Sequence, residues 1–246
     1  MRSNQRSTRY TSTLALLTLL AFALRTALLD AQSFWYDEGV TAMLAQLEWV
    51  ELTQWTANDI QPPLYYYLMA LWGQLAGWSE WSLRFVSVFF GVLAIPLSAL
   101  LTQKLSRSKR AGIVAALLAT LHPLLIDYSQ EARMYALLTT LGLLIGYLVI
   151  TAADTPNRRW PLVAYVLVAT AAIYTHYFAF FLLLALAIAY VVHQFVWQRA
   201  NQSDSPWRSL IPFVVANLLV LFFYLPWISA MLNRLSVDNS YWQGRL

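Results

Sequence analysis

An all-α membrane protein of about seven transmembrane helices is the fold class this sequence predicts, and three observations carry the expectation. Hydrophobic residues make up 59% of the 246 residues and charged residues only 11%, against about 25% charged in an ordinary soluble domain. Seven apolar runs approach the roughly twenty residues needed to cross a bilayer. Eleven Trp and fourteen Tyr suit the aromatic belts at the two membrane interfaces.

The runs cover 11–29, 83–103, 111–127, 134–152, 160–176, 178–197 and 209–232. They are rich in Leu, Ala and Val and lack the alternation of a lipid-facing barrel strand, so helices are expected. The first run also has the basic start and apolar core of a signal peptide. Its long core and the lack of a clean small-x-small site favour a span. No repeat and no low-complexity tract divides the chain, which reads as one polytopic membrane domain over 1–246.

Charge orients the runs. Arg2, Arg6 and Arg9 precede the first, Lys104, Arg107, Lys109 and Arg110 follow the second, Arg158 and Arg159 follow the fourth, and Arg199 and Arg208 flank the last connection. Seven spans put all of these on one side, and short Lys/Arg-rich loops are cytoplasmic. The N-terminus is then inside. The stretch Pro62–Trp78, PPLYYYLMALWGQLAGW, would upset this count if it spanned. Its short length and its Tyr and Trp predict a helix in the outer interface. The net charge of +4 is accounted for by topology and marks no nucleic-acid surface. With no Cys, disulfides, thiolate nucleophiles and Cys-based metal sites are excluded.

Ionisable residues gather on the expected outer side. Between Thr26 and Leu83 there is no Lys or Arg, but there are Asp30, Asp37, Glu38, Glu48, Glu51, Asp59 and Glu80. Glu48, Glu51 and Glu80 read as a solvated loop. Asp37 and Glu38 follow Phe34, Trp35 and Tyr36, which would hold them at the membrane surface, where a carboxylate can serve as a base. A second cluster begins at His122-Pro123 and continues as Asp127-Tyr128-Ser129-Gln130-Glu131-Ala132-Arg133. Asp127 and Glu131 are spaced to share a helical face. Acids at a helix start also complement the dipole, which explains Asp127 better than the string after it. A third cluster is Tyr174-Thr175-His176-Tyr177, where a satisfied polar His is the plainer reading. Arg25, Arg84, Arg133 and Arg234 run against the charge rule. Snorkelling explains any one of them, but a guanidinium fork also grips phosphate, and Arg84 and Arg133 are the candidates for that.

Three segments resemble the GT-C glycosyltransferases that use polyprenyl-phosphate sugar donors, nearest to the protein O-mannosyltransferases (glycosyltransferase family 39) and the aminoarabinose transferases of lipid A. They are WYDEG, then IQPPLYYYL with SLRFVSVFFGVL, and then HPLLIDYSQEARMYALLTTLGLL with YTHYFAFFLLLAL. The resemblance implies seven N-terminal spans with interfacial helices in the first outer loop, and relatives that continue beyond them. It implies a plasma-membrane, multi-pass, inverting hexosyl- or pentosyltransferase facing outward, with Asp37 as catalytic base, Glu38 supporting it and Glu131 orienting the acceptor or a metal. Arg84, Arg133, Gln61 and His176 would contact the donor phosphate, although Gln61 stands where relatives often carry a cation. Some such enzymes use a divalent cation, Mg or Mn, and others none. The implied partners are a polyprenyl-phosphate sugar donor, membrane lipids and an acceptor (protein, lipid or glycan) that the residues do not specify, with no nucleic acid. A lipid-linked-sugar flippase or a non-catalytic scaffold are the competing classes. Transporters place polar groups at mid-depth, whereas the runs here are nearly uncharged there.

Overall fold

The computed structural model describes residues 2–59, 61–201 and 207–236. Every regular element among them is a helix.

Helix α1 (Arg2–Thr26) leads to a surface group of three short helices, α2 (Tyr36–Leu44), α3 (Trp49–Ala57) and α4 (Leu64–Ala76). Pro63 precedes α4, and Gly77, at φ 87°, ends it in a conformation that a side chain would strain. Helix α5 (Glu80–Ser106) starts where the Ser79 hydroxyl accepts the Ser82 N–H and ends at Arg107, which is left-handed at φ 55°. Helix α6 (Lys109–Leu121) is capped the same way by Ser108. Then come α7 (Pro123–Asp127), α8 (Tyr135–Asp154), α9 (Trp160–Thr175), α10 (Ala179–Asn201) and α11 (Trp207–Ser236).

Among the described residues, four stretches are long and apolar enough to cross a membrane: Glu80–Ser106, Tyr135–Asp154, Ala179–Val196 and Leu210–Asn233. The apolar Trp160–Thr175 is shorter. Helix α1 has 25 residues but a polar first half. Helix α6 has 13 residues, about 20 Å at 1.5 Å per residue. The third expected run, 111–127, is therefore broken. Proline disfavours helical geometry in the residue before it, so His122 turns extended (φ −68°, ψ 118°) and Pro123 starts a separate turn of helix.

Three apolar clusters hold the helices together. Helices α8–α11 share one, built on Ile145, Tyr165, Ile173, Phe213 and Tyr224. The second joins α2, α3 and α4 to α5 and the start of α8 through Leu44, Leu52, Tyr65, Met69 and Leu83. A smaller third packs α1, α5 and α6 at Ala21, Ile95 and Ala116, where small residues bring the backbones close. Helices α5 and α8 run side by side in the same direction, since Lys104 near the end of one pairs with Asp154 at the end of the other at 2.9 Å. Lys109 lies over the Tyr10 ring at this same basic end. The starts of α5 and α8 and the end of α1 meet at the opposite end.

Candidate active site

Glu38 belongs to the first turn of α2, and its carboxylate caps that helix by accepting the Trp35 N–H at 3.3 Å. The same carboxylate takes both prongs of Arg84, from Nε and Nη2 at 2.8 Å each, and the backbone N–H of Ala132 at 2.7 Å. Arg84 gives its remaining donors to the carbonyls of Leu29, Gln32 and Ser33. All five guanidinium N–H groups are then committed inside the protein, and none is left for a phosphate. The expectation of Arg84 as a phosphate contact is corrected on that ground, and Glu38 is likewise a buried tether, not a group open to substrate. Together they tie α2, the 29–33 turn, α5 and the segment before α8 into one block.

That segment, 128–134, is a run of turns. Asp127 ends α7 and Tyr135 starts α8, so Asp127 and Glu131 do not share the helical face expected of them. Tertiary hydrogen bonds replace the helical ones. Ala132 N–H goes to Glu38, Arg133 C=O accepts from the Ser87 hydroxyl at 3.0 Å, and the Gln130 amide donates to Ala27 C=O at 2.9 Å.

Asp37 turns the other way. Its side chain is 36% exposed and faces Arg133, Nη2 to Oδ2 at 3.4 Å. Arg133 is only 6% exposed, and Tyr66 and Tyr135 interact with its guanidinium. Its Nε has no partner, and Nη1 reaches the Asp37 carbonyl only at 3.4 Å. Its ring neighbour is Tyr135, 5.9 Å from the guanidinium carbon to the centroid. Burial alone would lower the Arg133 pKa, but the opposing influence of Tyr66, Tyr135 and Asp37 raises it, so the group stays charged. Tyr66 is itself pushed up to about 12, chiefly by burial, with Arg133 pulling the other way.

Half-buried Glu131 has a carboxyl pKa above the ordinary value, because burial and then the Glu38 charge disfavour ionisation while Arg133 opposes them. His176 follows α9 and lies 6.5 Å from the Tyr135 ring. Burial, then Arg133, depresses its pKa. Its Nδ1 accepts the Phe178 N–H at 3.1 Å, which assigns the proton of the neutral ring to Nε2. Gln61 is half-buried, and its Oε1 has no hydrogen-bond partner. The Arg234 side chain lies outside the described residues.

The structure thus groups Asp37, Glu131, Arg133 and His176 around one charged guanidinium. Among the described residues, no three His, Asp or Glu side chains come together as a metal site. Sequence reasoning missed Ser87, Tyr66 and the full burial of Arg25. The chain shows only a Tyr-rich stretch and an arginine at a helix end, and nothing local marks either as part of this frame.

A family model described as dolichyl-phosphate-mannose-protein mannosyltransferase matches residues 60–229, more than half the chain. The chain belongs to that family. No curated protein matches it closely enough to count as a relative. Membership in the mannosyltransferase family, of GT-C type, supports a multi-pass membrane glycosyltransferase that uses a polyprenyl-phosphate-linked sugar. The matched segment of this mannosyltransferase-family chain includes Gln61, Arg84, Glu131, Arg133 and His176. It starts after Asp37 and Glu38, which join it through the Glu38–Arg84 pair.

Proposed function

We propose that the protein transfers a sugar from a polyprenyl-phosphate donor to an acceptor hydroxyl or phosphate at the outer face of the plasma membrane, with inversion at the anomeric carbon. Asp37 takes the acceptor proton. The acceptor oxygen bonds to the anomeric carbon as the bond from that carbon to the donor phosphate oxygen breaks, and the electron pair leaves with polyprenyl phosphate. Arg133 steadies the phosphate charge that develops. Glu131 orients the acceptor, and His176 and Gln61 line the donor side. Arg133 supplies positive charge of the protein's own at the leaving group.

The observation that carries this reading is Arg133: buried, charged, with Nε unpartnered, Nη2 facing the open Asp37 carboxylate at 3.4 Å and Nη1 at 3.4 Å from the Asp37 carbonyl. Hydrogen-bond donors arranged beforehand around a developing anion are a large source of catalysis. In the accompanying topology, seven spans with α2–α4 in the outer interface, the N-terminus is cytoplasmic. The basic end at Lys104 and Lys109, opposite the site, supports that orientation.

The test is transfer of labelled sugar from polyprenyl-phosphate donors in membranes carrying wild type, Asp37→Asn or Arg133→Gln at equal protein level. Loss of a general base lowers the rate about 10²–10⁴-fold, and loss of one donor to a developing oxyanion about 10²–10³-fold. Wild-type rates in Asp37→Asn would remove Asp37 from the step. Wild-type protein that transfers nothing, with every donor tried, would favour a scaffold.

A further inference from the structure

Arg25 is a third buried arginine at this end of the molecule, beside Arg84 and Arg133, and the transfer step leaves it without a task. It occupies the last turn of α1, is 0% exposed, and so does not snorkel to the head groups. Its partners are neutral oxygens. Nε donates to Ser129 Oγ at 3.2 Å, Nη2 to Ala119 C=O at 3.0 Å, and Nη1 to Thr120 C=O at 3.3 Å and Ala21 C=O at 3.4 Å. Ala119 and Thr120 lie in the last turn of α6, where carbonyls lack helical partners and carry the negative end of the helix dipole. That end stands in for a counter-ion, without which a buried charge is costly.

The important partner is Ser129. It lies four residues before Arg133 in the 128–134 segment. Gly91 of α5 faces it, and a Cβ there would overlap Ser129 Oγ and approach Arg25 Nε to 3.3 Å. The far part of the segment is fixed by Glu38 at Ala132 and by Ser87 at Arg133. The near part is fixed by Arg25, with Gln130 beside it holding the end of α1.

We infer that Arg25 is a positioning residue: through Ser129 it sets where Glu131 and Arg133 stand relative to Asp37. Its kinetic consequence rests on the transfer reading above, but its effect on the segment and on phosphate binding does not.

The experiment compares wild type, Ser129→Ala, Arg25→Gln and the double variant in lipid nanodiscs. It measures kcat and KM for sugar transfer, affinity for polyprenyl phosphate, and amide hydrogen exchange over 128–134. Each single variant should lower kcat about 10–100-fold, the scale of a displaced catalytic group, with acceptor KM little changed. Each should also weaken polyprenyl-phosphate binding and speed exchange at 128–134 but not in α9. The double variant should lose clearly less than the sum of the two single losses, because both substitutions cut the Arg25–Ser129 bond, although Ser129 also gives up its bond to Leu125 C=O and Arg25 its bonds to Ala21, Ala119 and Thr120. Additive losses, unchanged exchange, or faster exchange with wild-type kcat would overturn the inference. A wild type that binds polyprenyl phosphate but transfers nothing sinks the transfer reading alone. Affinity and exchange then decide for Arg25: unaltered values of either in Ser129→Ala overturn its role, and loss of both upholds it. If Arg25→Gln fails to fold, Ser129→Ala, which removes a single hydroxyl, carries the comparison.

Discussion

Asp37 and Glu38 are neighbours in the chain with opposite surroundings: the Asp37 side chain is 36% exposed toward Arg133, and the Glu38 side chain is 1% exposed against Arg84. Their substitutions should separate. Removing one partner of a buried pair leaves an uncompensated charge and costs about 3–5 kcal/mol, so Glu38→Gln or Arg84→Met should lower the Tm in detergent sharply. Asp37→Asn weakens a longer, half-exposed pair at 3.4 Å and should lower the Tm less than Glu38→Gln does. Equal melting of the two acid variants would contradict the burial difference.

Gly91 gives a packing test. Gly91→Ala forces Ser129 away from α5, and overpacking of this kind costs about 1–3 kcal/mol. Gly146→Ala is the control, since its added Cβ would meet only Leu101 side-chain atoms at 3.5 Å and beyond. Thermal melts of the two variants should differ in that direction.

His176 should report on Arg133. Burial and the Arg133 charge hold its pKa below 6.5 in the folded protein. The unfolded chain therefore binds a proton first, and stability falls as pH drops below 6.5. Arg133→Gln removes one of the two causes, so the His176 pKa should rise toward 6.5. An NMR titration of imidazole-labelled protein, wild type against Arg133→Gln, measures it.

Glu131 has the opposite sign. Its folded pKa lies above 4.5, so the folded state keeps the proton that the unfolded chain has lost. The folded form gains from this at acid pH, and the gain disappears as pH rises from 4.5 through the folded pKa. At neutral pH the ionised group burdens the fold, so Glu131→Gln should raise the Tm at pH 7.5 and flatten its decline above pH 4.5. A lower Tm in the variant would count against the burial argument.

The helical class and the places of the long apolar runs were legible because hydrophobicity and length are local properties. The start of α5 at Ser79 and the break at Pro123 also have local signals. The roles of Glu38, Arg84 and Arg25 were not legible. Glu38 and Arg84 lie 46 residues apart, and whether an arginine grips a ligand or its own protein depends on which carbonyls reach it. Arg84 meets three in the 29–33 turn, and Arg133 meets only one, at 3.4 Å. The same limit explains the Asp127–Glu131 error: i,i+4 spacing assumes a helix, and Glu38 takes the Ala132 amide that such a helix would need.

The clamp on Glu38 also determines what can move. Asp37 is one peptide bond from a side chain with four hydrogen bonds, to Arg84 twice, to Ala132 and to Trp35, three of them at 2.7–2.8 Å. Displacing the Asp37 backbone would tear that anchor, so its carboxylate moves only by rotation about its own side-chain bonds. The backbone that carries the carboxylate is a stationary post, and large adjustments before reaction fall to the incoming molecules, which must bring their reacting atoms within reach of one short side chain.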